Sequence, residues 1–185
     1  MYRASTAISL ALSALSFSIA GSGLSRQSVG EDGTTRPPTW PELLAQLLTI
    51  AAPDDQPRGT SLIGENRLLD AAEVMLSNHN PAEFHRIIGK VFKTPRFQPS
   101  HCHSAIVRID PKIVVTTNYD TLLEQAYTAS AVDHAACRQY EEHAVNVVRS
   151  DQRLVLKAHG CVTNPRNIVL SRSDYFKARR SNQQF

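Results

Sequence analysis

The sequence predicts an α/β fold, a parallel sheet flanked by helices, with a helical insertion between the first and second strands. Three observations carry this. The short apolar runs Ser16 to Ala20, Lys112 to Thr117 and Leu154 to Leu156 read as buried strands. Helix-patterned segments separate them, as in a parallel sheet. The run Ile113-Val114-Val115-Thr116-Thr117-Asn118-Tyr119-Asp120-Thr121-Leu122-Leu123-Glu124 also passes from an apolar strand straight into a helix start. Its polar residues therefore fall at the edge of an α/β sheet where ligands bind.

Taken in order, Ala7 to Leu15 reads as a first helix and Ser16 to Ala20 as the first strand, leading into Gly21. Leu24 to Pro38 is rich in Ser, Gly, Asp, Thr and Pro and reads as a flexible loop over part of the site. Thr39 and Glu42 have capping-box spacing and Pro41 is tolerated in a first turn, so a helix runs from Trp40 to about Ile50, with Trp40 as its anchor. Pro53 to Gly59 reads as another polar loop. Leu68, Leu69, Ala72, Val74 and Met75 suggest a short amphipathic helix. Asn80-Pro81-Ala82-Glu83 offers a cap, a first-turn proline and an acidic residue, and Phe84, Ile87, Ile88, Val91 and Phe92 then recur at helical spacing. After the His101 to Ile109 segment come a strand at Lys112 to Thr117, a helix from Thr121 to about Ala129 and a strand at Leu154 to Leu156. A short strand at Ile168 to Leu170 and a helix at Asp174 to Arg180 end the pattern.

A chain of 185 residues, 42% of them hydrophobic, buries one sizeable core and reads as a single domain. Its net charge of +3 is scattered, apart from Lys177, Arg179 and Arg180, which favours anionic ligands slightly and gives no nucleic-acid stripe. The 3 cysteines, Cys102, Cys137 and Cys161, are widely spaced and suit a reducing compartment. Arg3 followed by Ala7 to Ala20 also has the outline of a secretory leader ending in small residues. Ser and Thr interrupt that run, however, and the Gly21 loop begins where cleavage would fall. The run is also shorter than the ~20 apolar residues of a membrane span. The expectation is a cytoplasmic protein without membrane attachment.

Several residues carry candidate chemistry. Gly21 and Gly23 let backbone N–H groups approach a pyrophosphate, with Ser22 and Ser25 as hydroxyl donors; the alternative is a plain flexible turn. Asn118 has an amide suited to a ribose hydroxyl or a water, or else to an Asx cap. Asp120 has the place of a helix cap and stays a secondary site candidate. His159, between a strand and Gly160, carries an imidazole able to take a proton near neutrality. His101-Cys102-His103 are too closely spaced for a metal centre, and His134, Cys137 and His143 read as scattered on a solvent-facing segment.

Thr117-Asn118-Tyr119-Asp120, Ala20-Gly21-Ser22-Gly23-Leu24-Ser25 and Lys157-Ala158-His159-Gly160 together resemble the motifs of sirtuin-like domains, in family order, over roughly Ala14 to Lys177. The resemblance implies a Rossmann-type sheet and NAD as the substrate. It implies Asn118 and His159 as catalytic residues, with Gly21, Ser22, Gly23, Ser25, Thr117 and Asp120 binding the cofactor. Asp174-Tyr175 matches an acidic-aromatic pair near the end of the family's motifs and is expected to cap and pack a helix. The four-cysteine zinc module of protein-deacylating sirtuins has no counterpart here, so no zinc is expected. The implied reaction is NAD hydrolysis to nicotinamide and ADP-ribose, as in effectors of bacterial anti-phage defence. A homo-oligomer or a separate sensor subunit would then supply regulation. Two rivals are a protein deacylase or ADP-ribosyltransferase, and a noncatalytic nucleotide-binding module. Family members continue into a further strand after the last helix, so the domain is expected to be incomplete at its C-terminus.

Overall fold

The computed structural model describes residues 17–138, 147 and 149–181. Strands β1 (Phe17–Ala20), β2 (Ile113–Thr116), β3 (His134–Arg138) and β4 (Arg153–Lys157) form a wholly parallel sheet in the order β1-β2-β4-β3. Eight helices surround it among the described residues, an α/β arrangement of Rossmann-like kind. The expected first helix, Ala7 to Leu15, and His143 lie outside the described residues.

The insertion between β1 and β2 is helical, as the sequence predicts. After the single turn α1 (Ser22–Ser25) come α2 (Trp40–Leu47) with a 3-10 turn at Leu48–Ile50, α3 (Gln56–Gly64), α4 (Leu68–Leu76), α5 (Pro81–Phe92) and α6 (His101–Ile109). The Glu42 half of the α2 capping box is made, with the Thr39 N–H donating to the Glu42 carboxylate at 2.7 Å. Asn80 caps α5 by accepting from the Ala82 N–H at 2.9 Å. Helices α7 (Leu122–Ala129) and α8 (Arg172–Ser181) come after β2 and β4.

Four expectations are corrected. Pro53 to Gly59 is not a loop throughout, because Gln56 opens α3: Pro57 sits in the first turn, where it has no hydrogen bond to lose. Gly59 is there for packing, since a Cβ would lie 2.8 Å from Met75 Cγ and 2.9 Å from Leu48 Cδ2. The segment of His134 and Cys137, for which no strand is expected, is β3, which pairs with β4 along its whole length. Ile168 to Leu170 is extended but joins no strand ladder; the Val169 N–H donates to the His159 carbonyl at 2.9 Å, and the Val169 carbonyl accepts from the Tyr119 hydroxyl at 2.9 Å. Leu24 to Pro38 is pinned rather than free. Arg26 donates to the Pro37 carbonyl at 3.0 Å and pairs with Glu42 at 2.7 Å, and Arg36 donates to the Arg26 carbonyl at 2.9 Å.

Two main cores set the position of the site. On one side of the sheet Ala20, Val114 and Val155 pack with Val107 of α6 and Leu123, Ala126 and Tyr127 of α7. The other joins α2 to α5 with Cys161, Val162, Ile168 and Leu170, which lie after β4 in the chain. Each fully buried aliphatic side chain contributes roughly 1.5–3 kcal/mol. The segment after β4 is thus held on the insertion, across from the strand ends.

Candidate active site

In a parallel sheet the strands end at one edge, and here Ala20, Thr116 and Lys157 are in register across β1, β2 and β4. The three connecting segments therefore leave the sheet side by side: Gly21 after β1, Thr117 to Asp120 after β2, and His159 after β4. A cavity of about 270 Å³ lies at this edge, and Ser22, Ser25, Thr117, Asn118, Asp120 and His159 all line it. Gly21 stands beside it, its carbonyl accepting from Asn118 at 2.8 Å. Gly23 is exposed and does not line it; a Cβ there would meet nothing within 4 Å.

Asn118 is the joint of the site. Its Nδ2 donates to the Gly21 carbonyl at 2.8 Å and to Ser25 Oγ at 2.7 Å, and its backbone N–H donates to Thr116 Oγ1 at 3.1 Å. The Asn118 carbonyl oxygen Oδ1 accepts no hydrogen bond from the described residues. Ser25 Oγ in turn donates to Asp120 Oδ2 at 2.6 Å, and Asp120 Oδ1 accepts from the Leu122 N–H at 3.1 Å at the start of α7. Asp120 therefore caps that helix and braces Ser25 at once. The Ser25 hydroxyl is buried and turned inward, so its hydrogen is held by Asp120 rather than offered to a ligand.

Beneath this chain of bonds Lys157 is buried, donating to the Asp120 carbonyl and pairing with Glu124 at 3.3 Å. A buried ammonium needs such partners. They tie β4, and with it His159, to the turn that carries Asn118.

His159 is half-buried, and burial holds its imidazole below the ordinary value, so the ring is neutral at pH 7. The turn after it requires glycine: Gly160 has φ +87°, and a Cβ would stand 2.3 Å from the Asn167 carbonyl oxygen.

The sequence reading missed the aromatic wall. Trp40, Phe92, Tyr119 and Tyr175 also line the cavity, with Pro37, Pro38 and Thr39 closing one side. Tyr119 meets Phe92 edge-on at 6.0 Å, and Tyr175 meets His159 edge-on at 5.0 Å. The Trp40 indole N–H is buried without a partner among the described residues. Asp174 does cap its helix, accepting from the Ser171 N–H at 3.0 Å, while Tyr175 turns toward the cavity. The position of Trp40 beside a capping box was the available signal, because the residue opening a helix lies next to the loop that precedes it.

His103 is wholly buried, its Nδ1 accepting from the Ser100 N–H at 3.1 Å as part of a helix cap. Among the described residues no group of His, Cys, Asp and Glu is placed to hold a metal, and no helix is long and apolar enough to cross a membrane.

The profile of the SIR2-like domain matches residues 112–185. No curated protein matches the chain. The match makes this part of the chain, 74 of its 185 residues, similar to a SIR2-like domain. It takes in Asn118, Asp120, His159 and Tyr175 but not Gly21 to Ser25. The Asn118 bonds to Gly21 and Ser25 join the matched part to the loop after β1.

Proposed function

We propose that this protein is an NAD glycohydrolase, releasing nicotinamide and ADP-ribose. The observation that carries the reading is the convergence of Asn118 and His159 on one cavity at the C-terminal edge of a parallel sheet. Its volume of about 270 Å³ is at the small end for a ligand pocket, which suits the nicotinamide ribose end of NAD, with the pyrophosphate running outward over α1.

In this reading the glycosidic bond to nicotinamide breaks with its electron pair passing to the departing ring. A water oxygen bonds to the ribosyl carbon, and the proton lost by that water goes to His159 and then to solvent. Nicotinamide leaves readily, so position and charge stabilisation matter more than a strong acid. Both amide hydrogens of Asn118 are engaged, so its part is to accept, through Oδ1, from a ribose hydroxyl or the attacking water. Of the predicted binding residues, Thr117 and Ser22 keep cavity hydroxyls for the ribose and phosphate, while Ser25 and Asp120 serve the ligand by holding Asn118. Gly21 and Gly23 would let backbone approach the pyrophosphate. A role as an anti-phage effector in the cytoplasm, regulated by self-assembly or by a separate sensor subunit, fits this activity.

The test is chromatography of nicotinamide and ADP-ribose after incubation of the purified chain with NAD. Release that His159→Ala abolishes is the expected result. NAD binding without release would replace the hydrolase by a nucleotide-binding module; passage of the acyl group from an added acyl-peptide to ADP-ribose, leaving a deacylated peptide, would replace it by a deacylase, and ADP-ribose attached to the peptide by an ADP-ribosyltransferase.

A further inference from the structure

We infer that Tyr175 is a positioning residue that sets the tautomer of His159, its hydroxyl accepting from Nδ1–H and leaving Nε2 bare toward the cavity. The inference rests on the reading of His159 as a base. A neutral imidazole has one N–H and one acceptor nitrogen, and the hydrogen bond made by one nitrogen decides what the other can do. For Nε2 to take a proton, Nδ1 must carry the hydrogen. Among the described residues, the Tyr175 hydroxyl is the only side-chain group in hydrogen-bond range of that ring, 3.5 Å from Nδ1. This is the long limit for such a bond, and contacts of this kind tighten when substrate is in place.

The first turn of α8 is built to hold Tyr175 still. Asp174 accepts from the Leu170 and Ser171 N–H groups at 3.3 and 3.0 Å, and the Ser171 hydroxyl accepts from the Asp174 N–H at 3.2 Å. From α4, Glu73 receives the Ser173 N–H at 2.8 Å and its hydroxyl at 2.5 Å, and Asp70 receives Arg172 Nε at 2.9 Å. The three residues before Tyr175 are therefore each tied down. The tyrosine ring meets the imidazole at 71° with centroids 5.0 Å apart, which limits imidazole rotation. Burial pushes the Tyr175 hydroxyl up from its ordinary range, so it stays protonated and presents lone pairs, not a charge.

The test reads the tautomer directly. Long-range proton–nitrogen spectra of the ¹⁵N-labelled full chain, with the His159 signals identified by their loss in His159→Gln, should show wild-type His159 protonated at Nδ1. Tyr175→Phe keeps the ring and removes only the hydroxyl. It should move His159 toward the Nε2–H form, which an unassisted imidazole prefers, and lower kcat on NAD about tenfold with KM within about twofold, the scale of one hydrogen bond. A merely packing role for Tyr175 would leave the tautomer alone. Wild-type His159 protonated at Nε2, or a tautomer unchanged by Tyr175→Phe, would overturn the inference, and the first does not depend on Tyr175→Phe folding. A tautomer shift without nicotinamide release from any form would uphold Tyr175 as the positioning residue and reject the hydrolase reading.

Discussion

Asn118 holds the loop after β1 with its amide hydrogens and also lines the cavity, so in the proposed reading brace and chemistry share one side chain. His159 makes no such brace; its ring contacts only Tyr175 among hydrogen-bonding side chains of the described residues. The two substitutions should therefore part company in stability. Asn118→Ala removes two donated bonds and leaves Ser25 and the Gly21 carbonyl short of a partner, a cost of about 1–3 kcal/mol. His159→Ala should cost less, while both abolish turnover; denaturant unfolding beside the nicotinamide assay checks this, and equal loss of stability would contradict it. Asn118 and His159 were legible because each sits just past the end of a strand. The inward turn of Ser25 was not, because its partner Asp120 is distant in sequence and nothing in a Gly-Ser loop says which way a hydroxyl points.

Helices α3 and α4 meet through Gly59, and the same glycine that reads as loop in the sequence is what lets them approach. Gly59→Ala should destabilise by about 1–3 kcal/mol through overpacking against Met75. Gly89, in the interior of α5 with nothing within 4 Å of a Cβ, should behave oppositely. Gly89→Ala should stabilise by up to about 1 kcal/mol, as helix propensity dictates; a thermal melt of the pair separates the two effects. Just past the C-terminal end of β4, Gly160→Ala would force a side chain into both a left-handed backbone and the Asn167 carbonyl, costing about 2 kcal/mol or more. Loss of NAD turnover should accompany the lower melting temperature, since the turn that aims His159 would shift. The strong amphipathic pattern made α5 legible, whereas β3 was hidden because His-Ala-Ala-Cys-Arg has few residues that favour strands, and its pairing comes from β4.

Across the whole molecule, acid should be an adversary of the fold. Burial holds His103 below its ordinary value of 6.5, against an opposing pull from Asp120, and burial lowers His159 in the same direction. In this case the unfolded chain binds protons first on acidification. Stability is complete above about pH 6.5 and declines as pH falls below it toward the depressed folded values. Denaturant midpoints at pH 7.5 and 5.5 should differ, and the difference should shrink in His103→Gln. The α/β class and the order of strand, helical insertion and strand were readable from periodicity alone. The aromatic wall was not, because Trp40, Phe92 and Tyr175 reach the cavity on three separate helices whose packing no local pattern encodes.

The bond between Asn118 and Gly21 spans 97 residues of chain. Closing a loop of that length from the unfolded state costs roughly 4 kcal/mol of entropy before β1 and β2 return anything. The intervening helices, with their local contacts, are free to form first and shorten the distance. Pulsed hydrogen exchange during refolding should protect amides of α5 before those of β2 facing β1, so catalytic competence would arrive as the final event of folding and not as a property of any early intermediate.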